Sequence, residues 1–387
     1  MPIIPFLKSP PHPKLVEEMW SNLPFDPLAN IFSYLSPDSF ARAKAVCRSW
    51  HDAAKGASEL SPCHRHPPWF LALPTRSRGL SWIAHNPISN NWHVLSLDHI
   101  SCPVRPIATM GGLVLLRVTS STSLKLAICN PFTRQFKHLD MLNVTRTNPA
   151  IGVVEHDLGC KSSNFGFKIY VAGGISELAS SGAVYQPTVE MYRSSDETWK
   201  MVSRMPVEFA VRLTVWTPNE CVFSNGILYW MTSARAYCVM GFEIETNRWR
   251  ELSVPMADKL AFATLVARNR NLTLVGGTDV GNMCIWEMGK DGVWSLVEKV
   301  PFELGVRLLG SERHCGSVKC VGIDGAVCLY RDIEAGLVVW RQVFGEGKWE
   351  WNWIEGCSLI GGKKVRNSPI KGLLLQPNFA RSNFLSS

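Results

Sequence analysis

The sequence has no run of about eighteen uninterrupted apolar residues, the length a membrane-crossing helix needs. Its twelve cysteines include no Cys-x-x-Cys pair; the closest two, Cys315 and Cys320, flank apparent strands. The first residues lack an apolar segment followed by a small-residue cleavage site, so they do not read as a secretory signal. Reduced thiols, and a place in the cytoplasm, the nucleus or both, are therefore expected. The phosphate loop G-x-x-x-x-G-K-[ST], the nucleophile elbow G-x-S-x-G and the zinc-protease pattern H-E-x-x-H are all missing. So are an RNP-type aromatic strand, a helix-turn-helix and a zinc finger, which leaves nucleic-acid binding with weak support. Residues 358–387 contain no acid, and Lys363, Lys364, Arg366, Lys371 and Arg381 supply five of the net charge of +8. So short a basic tail reads as solvated. Cys63-His64-Arg65-His66 has metal-ligand residue types but no second half at zinc spacing. No metal, no cofactor and no catalytic residue are expected.

What is present falls into two textures. Residues 1–19 read as a flexible leader, with Pro2, Pro5, Pro10, Pro11 and Pro13. Ser21–Ala54 then reads as two or three short helices. Asp26 is a candidate N-cap with Pro27 at the first helical position, where a missing N–H costs nothing. Leu28, Ile31, Phe32 and Leu35 follow at i, i+3, i+4 and i+7, one apolar stripe. Ser36-Pro37-Asp38 repeats the start signal, and Ala43, Val46, Cys47 and Trp50 form a second stripe at the same spacing. Two apolar stripes in about forty residues are hard to bury without a partner.

The pattern Leu23-Pro24, Leu28, Ile31, Phe32, Leu35, then Val46-Cys47-Arg48 and Trp50 closely resembles an F-box. The resemblance implies docking on a Skp-type adaptor, and through it a cullin. It assigns that docking to Leu23, Pro24, Leu28, Ile31, Phe32, Leu35, Val46, Cys47 and Trp50, some of which also hold the motif together. Pro27 stands where many F-boxes have an acid or Gln, a departure that weakens adaptor affinity without abolishing it.

From Trp69 onward, short apolar runs alternate with Gly, Pro, Asn and Asp turns, the mark of many short strands. One unit recurs six times: an apolar strand, a polar turn, then an aromatic opening the next strand. It spans 83–92, 128–136, 191–199, 241–249, 285–294 and 339–349, and its closing aromatics lie 44, 63, 50, 45 and 55 residues apart. Glycine-led apolar strands stand upstream, at Gly111-Gly112, Gly226 and Gly325, while Gly173-Gly174 and Gly276-Gly277 end strands. Each unit is a small sheet that buries its faces only by stacking radially on its neighbours.

The double glycines and spaced tryptophans resemble degenerate kelch repeats, and the whole order resembles the plant F-box/kelch-repeat family. The expected fold class is a small all-α F-box followed by an all-β kelch-type β-propeller. Six blades are read at about 69–98, 99–140, 146–206, 210–256, 260–301 and 306–357, with seven left open by the long loops around 158–165 and 176–187. Gly372-Leu373-Leu374-Leu375 is the expected closing strand, pairing near Trp69–Leu73, since an open ring leaves exposed edges. The domain reading is leader 1–19, F-box 20–60, linker 61–68, propeller 69–376 and flexible tail 377–387.

Ser194-Ser195-Asp196-Glu197-Thr198-Trp199 resembles the Asp box of sialidase propellers, but lacks its glycine and does not recur. It reads better as a polar turn before a packed Trp. Arg212, Trp216, Arg235, Tyr237 and Arg307 lie near strand ends and are the candidate substrate-binding residues, Arg and aromatics being suited to interface anchors. The implied function is the substrate-recognition subunit of an SCF-type ubiquitin ligase, itself not an enzyme, holding an unidentified protein target. The alternatives are a non-degradative scaffold or transcriptional co-regulator, and, more remotely, a propeller hydrolase or oxidase.

Overall fold

A computed structural model describes residues 24–33, 35, 37–60, 67–74, 81–156, 166–178, 182–216, 221–278, 282–310, 315–343, 347–360, 363–364, 369–378 and 382–385. Leu23, the leader 1–19, the Cys63–His66 cluster and the loop around 158–165 lie outside them. The chain divides into two compact units, Met1–Cys63 and His64–Ser387.

The first unit holds helices α1 (Phe25–Ser33), α2 (Pro37–Lys44) and α3 (Arg48–Leu60). Helix α1 opens one residue before the expected Asp26 cap. Leu28 N donates to Pro24 O at 3.2 Å, so Pro24 takes the cap position. Asp26 and Pro27 then fall in the first turn, which suits both a negative charge and a missing donor. The second stripe is not one helix. Ala45 and Val46 donate to the carbonyls three residues back, which closes α2, and His51 N→Cys47 O (2.9 Å) begins α3. Ala43 therefore sits on α2, Val46 and Cys47 in the connection, and Trp50 on α3. The small core is aromatic: the Phe32 ring meets Phe40 and Trp50 edge-on, with centroids 6.3 and 5.2 Å away. Leu28, Ala29, Ala43, Ala53 and Ala54 are buried with it.

The second unit is a six-bladed propeller of four-stranded antiparallel sheets. Blade 2 runs outward from the axis as Val104–Met110, Leu113–Val118, Lys125–Asn130 and Gln135–His138. Blades 3 to 6 repeat this order, their inner strands being Ala150–His156, Val222–Ser224, Leu260–Arg268 and Lys319–Ile323. Blade 1 is composite. Trp69–Pro74, Ser81–Asn86 and Asn91–Ser96 supply its three outer strands, and Ile370–Leu375 from the far end of the chain supplies the inner one. The closing strand pairs as expected, Trp69 opposite Leu375 and Leu73 opposite Lys371. It also packs on the inner strands of blades 2 and 6, completing the ring. Gly372 makes that seam fit: a Cβ there would lie 2.7 Å from the Phe70 and Tyr330 rings.

Second and third strands are sandwiched between neighbouring blades, so both of their faces are buried. Leu113–Val118 and Ile227–Ser233 are accordingly apolar nearly throughout, while outer strands such as Arg248–Ser253 are mostly exposed. The recurring aromatic unit is the hairpin of the two outer strands. Tyr192 faces Trp199 and Phe242 faces Trp249 across it, whereas in blade 5 the register places Trp294 opposite Met288. Three of these tryptophans tie their blade to the preceding one. The indole N–H of Trp92 donates to Glu355 O (3.0 Å), that of Trp199 to Asp140 O (2.9 Å) and that of Trp294 to Ser253 O (2.8 Å).

Strand alternation sorts the connections. Second-to-third-strand loops and blade-to-blade crossings fall at one end of the ring; first-to-second and third-to-fourth-strand connections fall at the other. The loop around 176–187, at the first end, contains a hairpin, Ile175–Leu178 with Gly182–Tyr185. Two crossings contain helices, α4 (Val207–Trp216) before blade 4 and α5 (Phe302–Leu309) before blade 6, which overlap the blade starts expected at about 210 and 306.

The crossing from blade 2 into blade 3 is fixed by an ion pair, Arg146 with Glu190, both side chains fully buried. Arg146 also donates to Gly173 O (2.9 Å) and Thr188 O (3.2 Å), and Glu190 accepts from Asn143 N (2.8 Å) and Val144 N (3.2 Å). The tail expected to be flexible from 377 is instead docked where it is described. Asn378 O accepts from Asn130 Nδ2 at 2.9 Å, Lys137 stands over the Phe384 ring, and Leu385 is buried between blades 2 and 3. Phe384 and Leu385 supply the apolar anchors that a polar, basic tail was not expected to use.

Candidate functional site

The residues expected to dock an adaptor separate into two sets. Leu28 and Phe32 are buried inside the helical unit's own core, so their first role is to hold it together. Leu35 and Trp50 are half-buried, and the Trp50 ring is committed to Phe32. Pro24, Ile31, Val46 and Cys47 face solvent, Ile31 at 42% and Val46 at 62% exposure. Phe25, absent from the expected set, is also exposed. A single-stripe reading could not make this division, because interior and exterior positions lie within one helical turn of each other.

On the propeller, all five candidate substrate-binding residues map to the end that carries the crossings. Three of them share one cleft of about 640 Å³: Arg212, Arg235 and Tyr237, with Ala234, Ala236 and Glu251. Helix α4 positions Arg212, whose Nη1 donates to Glu251 Oε2 at 2.8 Å. Arg235 projects from the loop joining the second and third strands of blade 4, with Tyr237 opening the third. Among the described residues Arg235 has no ion pair or side-chain hydrogen bond. Trp216 ends α4, and its side chain lies outside the described residues. Arg307 is elsewhere, on α5, stacked over the Trp353 ring at 4.2 Å and paired with Glu355.

The cleft is lined by charged and aromatic side chains. Cys238, at its edge, donates to Glu251 Oε1 at 3.0 Å. Burial, helped by that carboxylate, pushes the thiol up to about 11, so it stays protonated and a poor nucleophile near neutral pH. Hydrogen bonds from Arg212 and then Cys238 hold Glu251 below the usual carboxylate range. Among the described residues no group of three or more His, Cys, Asp or Glu could hold a metal ion. Ser194–Trp199 behaves as the polar turn it resembles locally: Ser194 Oγ accepts from Phe167 N (2.9 Å) and Trp199 is buried.

One functional signal lay in the sequence unread. Pro206-Val207-Glu208-Phe209-Ala210-Val211-Arg212-Leu213 and Pro301-Phe302-Glu303-Leu304-Gly305-Val306-Arg307-Leu308 are one pattern written twice. Proline and an early acid start each helix. The small residue, Ala210 or Gly305, and the leucine are buried in both. The arginine in both pairs with a glutamate of the blade that follows, Glu251 within its outer strand or Glu355 just after it.

Comparison with known proteins agrees with this architecture. The family model described as F-box-like matches residues 20–60, and that described as F-box associated beta propeller domain matches residues 91–303. F-box only protein 6 of Arabidopsis thaliana is 24% identical over 364 residues, covering 90% of this chain and 72% of its own. An F-box/kelch-repeat protein of the same plant is 24% identical over 363 residues, covering 89% and 84%. The Arabidopsis protein UNUSUAL FLORAL ORGANS is 22% identical over 381 residues, covering 89% and 80%.

Proposed function

Because the chain belongs to the F-box proteins that carry an F-box associated β-propeller domain, we propose that it is the substrate-recognition subunit of a Skp–cullin–F-box ubiquitin ligase. The observation that carries this reading is the exposure of Ile31 and Val46 on a helical unit whose own core is already filled by Leu28 and Phe32. Those side chains fit an adaptor that is a separate protein. The propeller end bearing the crossings, with the Arg212–Arg235–Tyr237 cleft, supports the second half, capture of a protein target. The chain itself performs no chemistry. It raises the local concentration of the target's lysines beside a ubiquitin-loaded enzyme. Free cysteines throughout the described residues suit the cytoplasm or nucleus.

The experiment compares the full chain with one lacking residues 24–60, in cells. Proteins that bind the propeller should live longer when the helical unit is deleted and accumulate severalfold. Unchanged half-lives with binding retained would replace this reading with that of a non-degradative scaffold.

A further inference from the structure

The repeated pattern of α4 and α5 has an outward side as well as an inward one. Phe302 is 82% exposed, the most open of the large apolar side chains among the described residues, and Val306 one turn on is also exposed. Helix α4 presents Val207 and Val215 at the corresponding face, with half-buried Val211 between them. Both helices lie in blade-to-blade crossings, hence at the same end of the ring, one third of its circumference apart. Singly exposed apolar residues are ordinary. An outward apolar residue at the same position of two copies of one motif, Val207 and Phe302, each followed by a second exposed valine on its helix, is not. The charges beside them are also alike. Arg212 and Arg307 are already neutralised by Glu251 and Glu355. Glu208 and Glu303 are exposed and, among the described residues, have no ion pair or side-chain hydrogen bond. Each helix therefore offers an apolar stripe edged by an uncommitted negative charge.

We propose that α4 and α5 form a two-point docking surface for a target polypeptide whose apolar side chains are flanked by lysine or arginine. Apolar anchors fill the stripes, and the basic residues meet Glu208 and Glu303. Two separated points make the affinity for a target that spans both exceed that for either alone. The inference rests on the reading of the propeller as the target-holding unit.

The test selects binders from a displayed library of random peptides on the full-length chain, beside Phe302→Ser, Val207→Ser and Glu303→Lys. Phe302 is open enough that its replacement leaves the unfolding midpoint unchanged, which is checked. The expected result is enrichment of an aliphatic or aromatic residue next to Lys or Arg. The resynthesised peptide should bind at least about tenfold more weakly to Phe302→Ser or Val207→Ser, and more weakly to Glu303→Lys. Four results overturn the proposal: enrichment of acidic residues, which points to Arg235; affinities within twofold across the variants; no enriched peptide; or self-association of the chain that Phe302→Ser disperses. Adaptor binding, measured in parallel, separates the two levels. Enriched peptides without adaptor binding contradict the ligase reading alone, and adaptor binding without them contradicts this inference alone.

Discussion

Truncating the chain before Ile370 abolishes cooperative unfolding of the propeller. The removed strand is the innermost of blade 1 and carries four buried aliphatic side chains, Ile370, Leu373, Leu374 and Leu375. At about 1.5–3 kcal/mol each, their burial alone matches the whole net stability of a typical domain, about 5–15 kcal/mol. The ladder to Trp69–Pro74 goes with them, leaving one unpaired edge on blade 1 and uncovering the inner strands of blades 2 and 6 that packed on the missing strand. Denaturant titration followed by tryptophan fluorescence should change from one sigmoid to a broad, featureless slope, with aggregation. A truncated chain that keeps a sharp transition at the same midpoint would show that the ring holds without its closing strand.

Replacing Arg146 with alanine should cost about 3–5 kcal/mol of propeller stability. The pair is fully buried, so its removal strands the Glu190 carboxylate in the interior together with the Gly173 and Thr188 carbonyls. Replacing both charges by apolar residues is often harmless in a buried pair. Here it should still destabilise, because Glu190 also accepts the Asn143 and Val144 amides, and those donors lose their partner. The measurement is a double-mutant cycle of Arg146→Ala, Glu190→Ala and both, by denaturant unfolding. A cost below about 1 kcal/mol for Arg146→Ala would mean that water or a rearranged crossing satisfies the site.

The parts of this fold that could be read from sequence are those set by local periodicity. The outer hairpins announced themselves because an aromatic near the start of the outermost strand packs on other blade elements, Trp199 on blade 2 and Trp249 on Phe209, Trp230 and Phe242. The closing strand was legible because a ring needs one and Gly372–Leu375 was the apolar run left over. Helix α4 was not, because Val207, Val211, Thr214 and Val215 are β-branched and resemble strand residues, and α5 was not, because Gly305 interrupts a segment of only eight residues. The decisive signal was the repeat of Pro-x-Glu followed by Val-Arg-Leu, which strand-based repeats conceal. The Arg146–Glu190 pair lies 44 residues apart in sequence, and no local pattern links its members.

The candidate sites divide in the same way. Helical spacing placed Leu28, Ile31 and Phe32 on one helix but could not tell Phe32, in its core, from Ile31 on its surface. Only the placement of Phe40 and Trp50 around the Phe32 ring settles that. On the propeller, proximity to strand ends brought Arg212, Arg235 and Tyr237 together in one cleft, while Arg307 belongs to the second helix.

The division of the first unit into core and surface fixes how the central claim is best tested. Leu28→Ala or Trp50→Ala would confuse loss of docking with loss of the helical core. Ile31→Glu with Val46→Glu changes only exposed side chains and sets two charges where an apolar contact is required. The measurement is binding of the full-length chain to a purified Skp-type adaptor, by calorimetry, for wild type and this double variant, with helical circular dichroism as the control. The wild type should bind tightly and the variant at least about a hundredfold more weakly, with unchanged helicity. No binding by the wild type, or equal binding by the variant, would contradict the central claim.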